Sequence, residues 1–452
     1  MSLNRNRTGE VVPQARTSED LAPEEQFIDV SCLICGSWQL DTVASAADIE
    51  AQQRLLQKFH QLRRRTHGGA GLADRVEFTQ DYTTRVVQCR GCEFVFRTPR
   101  PSASAVRGAY VRDRYSDAHL HSEFLSQRKW AEKKSSILAR WVQFRHVPAI
   151  VEVGSFVGGF LAVGRQRGWS MLGVDPGKEV TEFCRARELP VYCGTLPDAP
   201  IAPDSVDAVV IWNTFDQLPN PDTTLAAAWR VLRDEGLLVI RVPNGAVYRR
   251  GAELLKRRGL LCNWMIATLA WNNLLAFPYL HGYSIATLDQ LLGRHGFSRL
   301  MVYRDTLVEL SDQGTKIWAS GEEKLIKWCC RRAAAIESLW HNDRADFAPW
   351  LDLYYGVGED IPSTPVSVAR YPSVRLHADS LVGCHAESSP RKEEGAASLA
   401  SSAMQAPRVA ARLPGPDAML LNQAAGGFSA ASKTKAGQPS LLLQAGRRVT
   451  SS

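Results

Sequence analysis

The sequence predicts an α/β fold built on a mostly parallel sheet with helices on both faces. Three observations carry that expectation. Apolar runs of strand length at Ala149–Val153, Met171–Val174, Ser205–Asn213 and Leu237–Asn244 alternate with segments of helical period, the sequence pattern of repeated βαβ units. The first run passes straight into a turn with glycines at 154, 158 and 159, and from there into a helix. The second run, about twenty residues further on, ends in an acid, Asp175.

From the N-terminus, residues 1–26 are polar, lack the apolar core of a secretory signal, and read as a disordered lead. That context favours a cytoplasmic protein whose ten cysteines are thiols and metal ligands rather than a disulfide framework. Cys32 and Cys35, then Cys89 and Cys92, form two Cys-x-x-Cys pairs with a glycine beside each. Two such knuckles can supply the four thiolates of a tetrahedral zinc site, structural because no coordination position stays open. Residues 27–102 are therefore expected to form a zinc-ribbon-like module with a helical insert. The insert is an amphipathic helix over Ala47–Arg65, with Ile49, Leu55, Leu56, Phe59 and Leu62 on one side. Gly68–Gly71 closes it, and Tyr82–Val87 returns as a strand. Residues 103–147 read as a helical linker, with a helix from Ser122 to Phe144 whose aromatic residues are expected to pack.

The core is expected over residues 148–312. Pro148 suits a strand entry, and Gly154 and Gly158 give the turn dihedrals and close ligand approach that a Cβ would hinder. The helix that follows points unpaired N–H groups at a ligand. The spacing is Gly-x-x-x-Gly-Gly, with Phe156 where the nicotinamide fingerprint has its second glycine, which disfavours an oxidoreductase. An acid ending the next strand can accept hydrogen bonds from a ribose diol.

At these residues the chain resembles the class I S-adenosylmethionine-dependent methyltransferases. Glu152, Gly154 and Gly158 match their acid-x-Gly-x-x-x-Gly motif, and Asp175 matches the acid that ends the second strand. The resemblance implies a Rossmann-like methyltransferase fold with a mostly parallel seven-stranded sheet, and S-adenosyl-L-methionine as cofactor. It further implies Glu152 and the loop residues Gly154, Ser155, Phe156 and Gly158 at the methionine end, Asp175 on the ribose, Thr195 and Leu196 against the adenine, and Asn213 at the end of the fourth strand. The stretch Cys89–Pro101, followed by Tyr110 and Tyr115, is similar to methyltransferases with an N-terminal zinc ribbon, a group that includes sugar and natural-product enzymes.

Further along, a helix is expected over Glu179–Glu188, a strand over Val191–Cys193 and a helix over Leu225–Leu232. Related proteins carry an acid–histidine pair before a leucine after the fourth strand. This chain has Asp216-Gln217-Leu218 without the histidine, so the resemblance does not supply a general base from that loop. By the same analogy His281 falls at the cofactor-facing edge and is the candidate proton acceptor. Gly259–Leu280 is apolar only in part, interrupted by Asn263, Asn272 and Asn273, which argues against a span. It reads as a lid or substrate-pocket helix. Lys256-Arg257-Arg258 before it makes membrane-surface association the alternative. Val302–Leu310 is expected to complete the sheet. Residues 313–385 read as a helical and irregular extension: a helix over 320–342 with Leu325, Trp328, Ala335 and Leu339 in register, then an irregular aromatic stretch over 350–371. The Ala/Ser/Gly/Pro-rich residues 386–452 read as a disordered tail.

Hydrophobic content of 45% and charged content of 22% are those of a globular protein. The net charge of +7 suits phosphate-bearing or acidic substrates without calling for nucleic acid. There is no Asn-Pro-Pro-Tyr sequence of the kind found in methyltransferases acting on nucleobase amines, so no nucleic-acid partner is expected. The expected function is methyl transfer to a small hydroxylated acceptor: a sugar, nucleotide sugar or natural-product scaffold. The alternative is a catalytically inactive methyltransferase-like protein that binds nucleic acid or protein. The acceptor, the atom methylated and the oligomeric state are not legible from the residues.

Overall fold

The computed structural model describes residues 27–357 except 66–81, 113, 143–145, 258, 260, 278, 308–314 and 342. The expected lead, the glycine-rich end of the insert and the expected tail lie outside the described residues. The chain begins with β1 (Phe27–Ile28), β2 (Leu40–Ala44), α1 (Ala46–Arg63), β3 (Arg85–Cys89), β4 (Val95–Thr98) and β5 (Arg100–Pro101). Ser45 starts α1 through a reciprocal capping box: its hydroxyl accepts from the Asp48 N–H, and the Asp48 carboxylate accepts from the Ser45 N–H. Strands β2 and β3 pair antiparallel with Leu40 opposite Cys89. The insert therefore leaves and re-enters at one place, and its length does not separate the cysteine pairs.

Next come α2 (Ala103–Arg112), α3 (Asp117–Leu138), β6 (Ala149–Val153), α4 (Gly159–Gln166), β7 (Ser170–Asp175), α5 (Lys178–Arg185), β8 (Val191–Cys193), β9 (Val206–Trp212), α6 (Pro221–Val231) and β10 (Leu232–Pro243). The chain then runs through α7 (Gly245–Lys256), α8 (Cys262–Trp271), β11 (His281–Gly282), α9 (Ile285–Gly293), β12 (Phe297–Asp305), α10 (Ile317–Trp340) and β13 (Trp350–Val357). Seven strands form one sheet in the order β12-β13-β10-β9-β6-β7-β8. From β10 to β8 the pairs are parallel. The central strands β6 and β9 are buried along their whole length, as their continuous Val/Ile/Ala runs require of a sheet covered on both faces. The expected Rossmann-like methyltransferase fold is the fold observed.

Two sequence expectations change. Trp350–Val357, read as irregular, is a strand that slots between β10 and β12, antiparallel to both. It completes the sheet, leaving β12 at the edge, and a long helix separates it in sequence from the strands it joins. The Gly259–Leu280 segment forms no lid: the buried half of α8, Ala267–Trp271, packs in one cluster with residues of α1, α7 and α10. The helix expected over 320–342 is observed as α10, and its register residues Leu325, Trp328, Ala335 and Leu339 are exposed.

A second sheet, in the order β11-β4-β3-β2, joins the N-terminal module to the core. His281 pairs with Phe96 and Gly282 with Val95. Gly245 permits this approach, since a Cβ there would lie 2.2 Å from the Gly282 carbonyl oxygen. Phe94 and Phe96 share one apolar cluster with Phe215, Tyr283, Leu288 and Leu292, so the module is built into the core.

Behind the sheet, Lys134 of α3 and Arg241 of β10 both donate to Asp352 of β13. Lys134 Nζ also donates to Asp305 Oδ2 (2.7 Å). Arg241 Nε donates to Asn213 Oδ1 (3.0 Å), which ties this buried ionic cluster to the end of β9.

Candidate active site

A cavity of about 810 Å³ opens at the carboxyl ends of β6, β7 and β9, where parallel sheets bind ligands. One wall carries Gly154, Phe156, Asp175 and Gly177, with Thr195 and Leu196 at the rim. The opposite wall comes from α2, α3 and the link between them: Tyr110, Tyr115, His119, Gln127 and Trp130.

The turn after β6 is shaped by backbone demands. Gly154 has φ +74°, and a Cβ there would lie 2.2 Å from Thr214 Oγ1. Phe156 (φ +47°) and Asn213 (φ +54°) also hold left-handed conformations, which cost a non-glycine residue about 1–2 kcal/mol and gather at ligand sites. Asp175 holds the turn. Its Oδ2 accepts from the Phe156 N–H and its Oδ1 from the Gly177 N–H, each at 2.9 Å. Burial pushes its pKa up to about 6 against the pull of those two donors.

Glu152 lies beneath, fully buried, and neither carboxyl oxygen has a hydrogen-bond partner among the described residues. Burial, and then the charge of Asp175, hold its pKa well above the ordinary carboxyl value. Gly158 also stands behind the wall: its φ is +73°, and a Cβ would press within 2.8 Å of Leu189. Of the sequence candidates, Gly154, Phe156, Asp175, Thr195, Leu196 and Asn213 line the cavity, whereas Glu152, Ser155 and Gly158 support it from behind.

The structure does not bring His281 into the cavity. It is fully buried on β11. Arg100 Nη1 contacts its Nε2, while its Nδ1 stands 3.4 Å from the Tyr283 hydroxyl. A guanidinium can only donate, so Nε2 is the acceptor and its lone pair is taken. Burial, and then the Arg100 charge, hold its pKa well below the ordinary imidazole value. A group depressed in the folded state contributes stability above its unfolded pKa, about 6.5, and that contribution fades as pH falls below it. His281→Gln is therefore expected to make thermal unfolding less acid-sensitive below about pH 6.5, as melting curves across pH would register.

The four sulfurs of Cys32, Cys35, Cys89 and Cys92 lie within 4.8 Å of one another, with 3.4 Å between Cys32 and Cys92 and between Cys35 and Cys89. Zinc–thiolate bonds of about 2.3 Å in a tetrahedron place sulfurs about 3.8 Å apart, so the donor set has the right span.

Several lining residues escaped the sequence reading. Gln127 Oε1 accepts from the Gly159 N–H (2.6 Å), fixing the start of α4 from a helix earlier in the chain. Tyr110 donates to Gln217 Oε1 (2.8 Å), in the loop where a histidine was sought. Trp130 meets Trp212 edge to face at 5.3 Å. Nothing local marks Gln127. For Asn213, the tolerance of asparagine for the left-handed region was an available signal.

The fold and the site together are those in which a methyltransferase-like domain is recognised over part of the chain. A family described as a methyltransferase domain matches residues 151–240, from β6 into β10. Among solved structures, the chain is similar to the methyltransferase in complex with the Trm112 methyltransferase activator of Haloferax volcanii, at 19% identity over 54% of this chain and 95% of that one, with a TM-score of 0.35. It is similar to an S-adenosylmethionine-dependent methyltransferase of Archaeoglobus fulgidus, at 17% identity over 52% and 99%, TM-score 0.32. It is also similar to the plantazolicin methyltransferase BpumL, solved with S-adenosylhomocysteine, at 13% identity over 56% and 94%, TM-score 0.34. No curated protein matches the sequence.

Proposed function

We propose that the cavity binds S-adenosyl-L-methionine and that the protein methylates a small hydroxylated acceptor of the sugar, nucleotide-sugar or natural-product type. The observation that carries this reading is the position of Asp175 at the cavity wall, clamped onto the turn that Gly154 makes possible. In this reading Asp175 accepts from the ribose hydroxyls, the N–H groups after Gly154 face the methionine end, and Thr195 and Leu196 border the adenine. Glu152, its pKa held above the ordinary carboxyl value by burial, props the turn from below. When bound, the cofactor supplies a methyl group already activated by its sulfonium. The chain's own work is to orient the acceptor against the Tyr110–Trp130 wall and exclude water. The cavity stands in the upper part of the roughly 300–1,000 Å³ range of small-molecule sites, with room for acceptor beside cofactor.

The same reading gives the four cysteines one structural zinc, which staples the two knuckles beside β4 and hence the β4–β11 junction. Incubation with isotopically labelled cofactor and a panel of hydroxylated acceptors is expected to add one methyl mass to an acceptor. Failure across the panel, with the cofactor bound, would leave the inactive-scaffold alternative. Metal analysis is expected to find one zinc per chain, and a strong chelator to lower the melting temperature. A metal-free chain with unchanged melting would remove the zinc.

A further inference from the structure

We propose that the acceptor carries a protonated amine, which Glu123 holds against the aromatic wall of the cavity. The inference deepens the methyl-transfer reading and rests on its placement of the cofactor along the Asp175 wall. The chain as a whole carries a net charge of +7, but the cavity has the opposite sign. Among the described residues its charged lining is Glu123, Asp175, Glu179 and Asp198 against one arginine, the exposed Arg107. The acids other than Glu123 are engaged on the cofactor's side. Asp175 clamps the turn. Glu179 Oε2 accepts from the Tyr115 N–H (2.7 Å), and Asp198 Oδ2 accepts from the Thr195 hydroxyl (2.6 Å). Glu123 differs. It stands half-buried on α3, and among the described residues neither a hydrogen bond nor an ion pair reaches its carboxylate.

Its place on the helix fixes where it acts. Glu123, Gln127 and Trp130 recur at i, i+4 and i+7, one face of α3, and all three line the cavity. Gln127 accepts from the Gly159 N–H (2.6 Å), which holds this face beside the glycine turn. Trp130 lies two turns beyond Glu123, about 10 Å along the axis. There it meets Trp212, which also lines the cavity and is only 4% exposed. The Trp212 indole N–H has no hydrogen-bond partner among the described residues. The face thus offers a carboxylate at one end and a donor at the other.

That pairing selects the ligand. Tyr110, Tyr115 and Trp130 give the wall its rings, and the negative face of an aromatic ring attracts an ammonium. Glu123 supplies the countercharge, and a charge-assisted hydrogen bond is stronger than a neutral one. A hydroxyl oxygen of the same molecule is suited to the unmet indole N–H. A cleft lined by one sign of charge gathers ligands of the other. A diphosphate would instead face an acid-rich lining with a single exposed arginine to neutralise it, and like-charge juxtaposition is costly. Of the hydroxylated acceptors, amine-bearing sugars and scaffolds therefore fit, and nucleotide sugars do not.

The test is calorimetric binding to the full chain, with and without S-adenosylhomocysteine, of tyramine and glucosamine, each beside its N-acetyl form, and of UDP-glucose. The amines are expected to bind about tenfold or more tighter than their N-acetyl forms, the strength of a hydrogen bond to a charged group. Glu123→Gln keeps the size and loses the charge. It should erase that difference while leaving the melting temperature and the affinity for S-adenosylhomocysteine unchanged. Absence of binding by both amines would overturn the proposal, as would equal or tighter binding of the N-acetyl forms or of UDP-glucose. A preference for the amines that survives in Glu123→Gln would also overturn it. So would a fall in S-adenosylhomocysteine affinity in that variant, because the carboxylate would then belong to the cofactor's own ammonium. Tight amine binding without methyl transfer from labelled cofactor would leave this pocket standing and count against the methyl-transfer reading instead.

Discussion

Asp352→Ala is expected to lower the unfolding free energy by about 3–5 kcal/mol, the range for removing one partner from a buried ion pair. Asp352 is almost wholly buried and is shared by Lys134 and Arg241. Its loss leaves two cations in a dry interior with only Asp305 between them. Set against typical domain stabilities of about 5–15 kcal/mol, that is a large share, and denaturant titration followed by circular dichroism reads it directly. The cluster also has a pH signature. Burial alone would raise the pKa of Asp305, but the charges of Lys134 and Arg241 outweigh it and hold the carboxyl far below its ordinary range. A depressed carboxyl contributes stability above its unfolded pKa, about 3.9, and loses it as pH falls further. Asp305→Asn is accordingly expected to be less stable than the parent chain near neutral pH and to lose less stability as pH falls below about 3.9.

The second large effect concerns binding. Asp175→Ala is expected to weaken S-adenosyl-L-methionine by about a hundredfold or more in calorimetry, because a charged acceptor contributes roughly 1.5–3 kcal/mol per hydrogen bond. The same change frees the Phe156 and Gly177 N–H groups, so the turn itself loses its clamp. Asp175→Asn, which keeps one acceptor oxygen and the side-chain size, should lose less. The ionised carboxylate is the better acceptor, and its pKa stands at about 6. Affinity is therefore expected to rise as pH increases through that value. An affinity untouched by Asp175→Ala would separate this residue from the cofactor and leave the cavity without its assigned ribose contact.

Much of this arrangement was visible in the residues because it is local. Ile150, Val151 and Val153 announce a buried strand, Gly154 the bend that follows it, and Asp175 the end of the next strand. Each depends on chemistry within a few positions. The cysteine pairs are legible for the same reason, although only the β2–β3 pairing shows why a long insert does not part them. His281 misled because its place in the chain, after α8 and before a capped helix, says nothing about which strand it pairs with. Its neighbour is Phe96, far upstream, and that pairing buries the ring. Leu325, Trp328 and Leu339 were legible as one helical stripe, but its direction was not. Helical period shows that side chains share a face but not whether that face turns toward protein or solvent.

The residues alone determined the strand–turn–helix units, the acid that ends the second strand and the four-thiol donor set, since periodicity, glycine dihedrals and ligand spacing act over short separations. Tertiary structure alone decided that Trp350–Val357 enters the sheet, that α2 and α3 close the cavity with Tyr110 and Gln127, that His281 serves a junction, and that Leu325, Trp328 and Leu339 of α10 are exposed among the described residues. Each of these turns on contacts between segments distant in sequence, where the balance of burial and pairing is settled by the whole chain.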